Sequence, residues 1–93
     1  MEENTLYRLC EKVEKYLNDN RIYSDVTPYG GGIPVINVSI SWGDWKHDHG
    51  RAKWLMQELG ATYVGSEETE ENGSDCYSAI HTFIVQEDLF SNN

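Results

Sequence analysis

Asp44, His47, Asp48 and His49 bring two imidazoles and two carboxylates into six residues, with Trp42 and Trp45 beside them. Imidazole and carboxylate are the ligands that zinc and related ions accept, and the pair that proton transfer most often uses. A metal-dependent or acid–base centre built on Asp44, His47 and His49, with Asp48 and perhaps the distant His81, is therefore the alternative that these residue types raise. Spacing weakens it. Residues two apart share a direction only in extended backbone, and in a helix they diverge by about 200°. The segment does not form the His-Glu-x-x-His pattern, and Ser39, Ser41 and Cys76 sit in no nucleophile signature. The plainer expectation is a strand-to-helix turn in which Asp44 or Asp48 caps the helix while Trp45 and His49 seat it. No cofactor is implied, and the balance leans away from an enzyme.

A second concentration runs from Glu67 to Asp75, where Glu67, Glu68, Glu70, Glu71 and Asp75 fall within nine residues. It lacks the ligand spacing of a calcium-binding EF-hand. Carboxylates a few ångströms apart do imitate a line of phosphates. Two aromatic residues are candidate anchors for a partner: Tyr29, beside Gly30-Gly31-Gly32, and Tyr77, just after the acidic run. The glycine triplet has no Gly-Lys-Ser/Thr ending and opens no helix, so it reads as a loop and not as a phosphate cradle.

Charge narrows the partners. Sixteen acidic residues against seven basic leave a net charge of −9, a field that repels nucleic acid and anionic membrane surfaces and attracts basic proteins. No apolar run approaches the roughly 18 residues of a membrane span, and Met1-Glu2-Glu3 is acidic where a targeting peptide would be basic. A cytoplasmic protein is expected. Cys10 and Cys76 show no metal or redox spacing and read as small apolar residues.

The elements that must position these residues follow from periodicity. Leu6, Leu9, Cys10, Val13, Tyr16 and Leu17 make one helical stripe over residues 4 to 18, capped by Asn4 or Thr5. A short strand over 22 to 27 precedes the glycine loop. Residues 35 to 42 alternate Ile36, Val38, Ile40 and Trp42 with polar neighbours, as a strand buried on one face does. A second helix ends at Leu59 with Gly60 behind it, and the regular spacing of Trp45, His49, Ala52, Met56 and Leu59 favours a start after Asp44. Strands are expected over 61 to 66 and 76 to 86, separated by an acidic loop over 67 to 75, and residues 87 to 93 read as a frayed tail.

The fold expectation is one α+β domain spanning residues 1 to 93, in αββαββ order. Its two layers are a four-stranded, mainly antiparallel sheet and two helices on one face. Helix-strand-strand occurs twice, with slight identity between the halves. On the last strand, Tyr77, Ala79, His81, Phe83 and Val85 share one side and Cys76, Ser78, Ile80, Thr82 and Ile84 the other. Were Ile80 and Ile84 to face the helices, Tyr77, His81, Phe83 and Tyr63 would form an outer aromatic surface suited to protein contact, including a homodimer through the sheet. The functional expectation is a non-enzymatic, acidic protein-binding module. Its sharpest form is a phage or mobile-element inhibitor that mimics nucleic acid and blocks the basic groove of a host defence enzyme.

Overall fold

The computed structural model describes residues 1–41, 45–70 and 77–90, with side chains described outside 41–48 and 69–77. Among the described residues six elements run in order: α1 (Glu3–Asp19), β1 (Asp25–Pro28), β2 (Val35–Ser41), α2 (Trp45–Leu59), β3 (Thr62–Glu70) and β4 (Tyr77–Ile84). All the strand pairs are antiparallel, and the sheet order is β1-β2-β4-β3. The α+β class, the αββαββ order and the antiparallel sheet are as the periodicity predicts.

One core forms between the sheet and the helices. Leu6, Leu9, Cys10, Val13 and Leu17 from α1 join Ala52, Leu55 and Met56 from α2 in a single cluster with Ile36, Val38, Ile40 and Phe83 from the central strands. These strand positions alternate, so both helices bury their stripes against the same side of the sheet. The other side carries Asn37, Ser39 and Thr82, all half-buried, and Thr82 Oγ1 donates a cross-strand hydrogen bond of 2.8 Å to Asn37 Oδ1.

The two halves share more than an element order. After α1, the amides of Arg21 and Ile22 donate to the carbonyls of Asn18 and Leu17, at 2.9 and 2.8 Å. After α2, the amides of Gly60 and Ala61 donate to those of Gln57 and Met56, both at 3.0 Å. Each is a Schellman motif, with a left-handed residue closing the helix: Arg21 at φ 64° and Gly60 at φ 109°. The next residue, Ile22 or Ala61, is buried in both halves. The sheet order reads the same when the halves are exchanged, with β2 and β4 paired at the centre. The motif leaves α1 without a cation in its last turn. Arg51 of α2 supplies one, its Nη2 donating to the Asn20 carbonyl at 2.8 Å, where the helix dipole is negative.

Four boundaries differ from expectation. The α1 N-cap is Glu2, without a side-chain capping bond, so neither Asn4 nor Thr5 holds that position. The first strand starts at Asp25, because the Schellman motif occupies Arg21 and Ile22. The third strand continues through Glu70, well into the run expected as loop. At the C-terminal end, Leu89 is buried in the core and Phe90 packs edge-on against Tyr16, with centroids 6.1 Å apart. Fraying therefore does not describe residues 87 to 90.

Candidate functional site

Pairing on β4 decides which of its sides is buried. Val38 lies opposite His81 and Ile36 opposite Phe83, and cross-strand partners share a face. Ala79, His81, Phe83 and Val85 are buried, while Ile84 is 43% exposed. The outer aromatic surface is thus not present at these positions: His81 and Phe83 point towards the helices. Tyr63 lies on the same inner side, half-buried at 5.7 Å from Phe83 and 6.1 Å from His81 between ring centroids. A face built on Ile80, Thr82 and Ile84 lacks the stacked aromatics that a homodimer through the sheet was expected to use.

Inside the core, His81 meets His49. The rings are 4.7 Å apart between centroids and tilted by 51°, and His49 Nδ1 is hydrogen-bonded to His81 Nε2. Two neutral imidazoles satisfy this contact when one donates and the other accepts. Burial first, then the neighbouring His49 and Lys53, pull the His81 pKa down to about 4. His81 is therefore held neutral. Lys53 lies 4.2 Å over the Tyr63 ring, a cation–π contact worth about 0.5–1 kcal/mol at an accessible site. Lys53, Tyr63, His81 and His49 thus fasten α2 to β3 and β4.

Among the described residues no group of three His, Cys, Asp or Glu side chains is placed to hold a metal. Asp44 lies outside the described residues, as do the side chains of His47 and Asp48. His49 itself is buried on the inner side of α2. Among the described residues the open grooves lie elsewhere, along α1. One of about 250 Å³ is lined by Thr5, Arg8, Leu9, Lys12 and Glu87, and one of about 270 Å³ by Lys12, Lys15, Tyr16, Asp19 and Phe90. Cys10 is a buried free thiol whose pKa rises to about 11 through burial and then Glu14 and Glu11. Such a thiol is a poor nucleophile.

The acidic residues take a different setting. Glu67, Glu68 and Glu70 belong to β3, opposite Ile80, Ala79 and Tyr77 of β4. Ser66, Glu67 and Glu68 are exposed in succession, so water reaches both sides of the strand there. With a rise of about 3.3 Å per residue, positions 67 to 70 span roughly 10 Å of strand, and successive positions alternate between its two sides. That is one acidic position per about 5 Å of strand on average, wider than the 3.4 Å per phosphate of a single nucleic-acid strand. Tyr29 is 61% exposed at the β1–β2 turn. Tyr77 opens β4 opposite Glu70, but its side chain, like Glu71 and Asp75, lies outside the described residues.

No protein-family model, curated protein or solved structure matches the chain. Its site must be read from its own geometry.

Proposed function

We propose that this chain is a non-enzymatic, acidic protein-binding module that occupies a basic, nucleic-acid-binding groove on another protein. One observation carries the reading. Glu67, Glu68 and Glu70 are mounted on one sheet strand, within roughly 10 Å along it, where a flexible loop would disperse them. Fixing charges in advance lowers the ordering cost of binding, and a net charge of −9 steers a basic partner towards the module. Tyr29 and Tyr77 are the aromatic anchors of this reading, with Glu71 and Asp75 extending the charge. An inhibitor of a defence enzyme, such as a restriction or CRISPR effector, is one form it takes.

The experiment is capture of a partner from the native host, followed by competition with duplex DNA. Binding should weaken by roughly 10- to 100-fold between 50 and 200 mM salt, and duplex DNA should displace the module. Neutralising Glu67, Glu68, Glu70 and Glu71 together to Gln should abolish capture. Unchanged capture by that variant would sink the proposal.

A further inference from the structure

Among the described residues β3 is an edge strand, paired with β4 on one side only. An edge presents a row of backbone N–H and C=O groups that another chain can pair with, and proteins blunt edges by keeping them short, charged or bulged. β1, the opposite edge, has four residues and ends on Pro28, which has no N–H. β3 is not short: its nine residues extend for roughly 30 Å. Thr62, Val64, Ser66, Glu67 and Glu68 are exposed, and among the described residues no backbone hydrogen bond from outside the sheet closes this edge.

Its protection is electrostatic, and that selects its partner. The irregularity between Tyr63 and Gly65 twists one end of the strand. Glu67, Glu68 and Glu70 guard the other. A second copy of β3 would bring six glutamates into one ladder, since each copy supplies three, and like charges facing across strands are destabilising. A strand bearing Lys or Arg reverses the sign of that contact.

We propose that the β3 edge accepts an extended, basic segment of the partner by strand addition, with main-chain bonds along residues 62 to 70 and ion pairs to Glu67, Glu68 and Glu70. This rests on the reading of β3 as the partner-binding element and adds the mode of contact. Main-chain pairing supplies affinity in such complexes, and side chains supply the choice of partner.

The test titrates the full chain with a ten-residue peptide of lysine with threonine at every third position, which puts lysines on both faces of an added strand, and with the same peptide N-methylated throughout. Amide hydrogen exchange is followed over residues 62 to 70. The natural peptide should bind at least about tenfold more tightly and slow exchange at alternate β3 amides. Combined replacement of Glu67, Glu68 and Glu70 by Gln should remove that binding while the far-ultraviolet spectrum stays unchanged. Equal binding of both peptides without added protection overturns strand addition and leaves the electrostatic contact standing. Binding of neither peptide, or binding that the Gln variant retains, overturns the acidic edge as the contact site as well.

Discussion

His81 is a core residue that the chain keeps polar, and the consequence is a dependence of stability on acid. Its folded pKa lies near 4 against about 6.5 in an unfolded chain. A base depressed in this way contributes its full stability above the unfolded value, and loses it as pH falls from about 6.5 towards 4. Carboxylate titration in so acidic a protein acts over part of the same range, so the effect must be isolated by difference. Between pH 7 and 4.5 the natural chain should lose about 2 kcal/mol more than His81→Leu, read from urea unfolding at each pH. Equal losses would show that His81 does not carry the acid response. The inward stripe through His49 was legible, because helical spacing orders Trp45, His49, Ala52 and Met56. The side on which His81 lies was not. Both faces of β4 are part apolar, and the choice is made by Val38 and Ile36, more than forty residues away in sequence, which pair with His81 and Phe83.

Among the elements, the repeated Schellman motif makes a matched pair of predictions. Gly60 sits at φ 109°, with nothing near the position a Cβ would take. Gly60→Ala therefore meets backbone strain without a clash, and should cost about 1 kcal/mol. Arg21 occupies the corresponding turn at φ 64°, where an L-residue is disfavoured by roughly 1–2 kcal/mol. Arg21→Gly should stabilise by about 0.5 kcal/mol, after the added freedom of the unfolded chain is subtracted. Thermal midpoints of the two variants should move in opposite directions, and movement in the same direction would refute the motif as the cause. Gly60 was legible as a helix stop. Arg21 was not, since nothing in an arginine announces a left-handed turn. The extension of β3 was also hidden. Glutamate is a poor strand former, so composition places a loop at Glu67, yet pairing with Ile80 and Ala79 overrides local preference.

At the scale of the whole molecule, 93 residues leave little surplus stability, and no peripheral element that reaches the core is dispensable. The C-terminal turn is such an element. Val85 extends the pairing beyond β4, its amide donating to the Pro34 carbonyl at 2.9 Å, and a turn closed by Leu89 N–H to Gln86 carbonyl follows at 3.1 Å. That turn brings Leu89, 6% exposed, into the cluster shared by α1 and the sheet. Phe90 meets Tyr16 of α1 edge-on, a contact that adds about 0.5–1.5 kcal/mol beyond the area it buries. Leu89→Ala should cost roughly 2–4 kcal/mol. Removal of residues 87 to 93 should cost at least as much, because it takes Phe90 away and exposes the core side of α1. Against a total of about 5–15 kcal/mol, either change should pull the urea midpoint down visibly. If the shortened chain unfolds at the same midpoint, the turn is ornamental and α1 is held by the sheet alone. A large drop would show instead that the C-terminal turn is an integral part of the fold, holding the core side of α1 as Arg51 holds its C-terminal end.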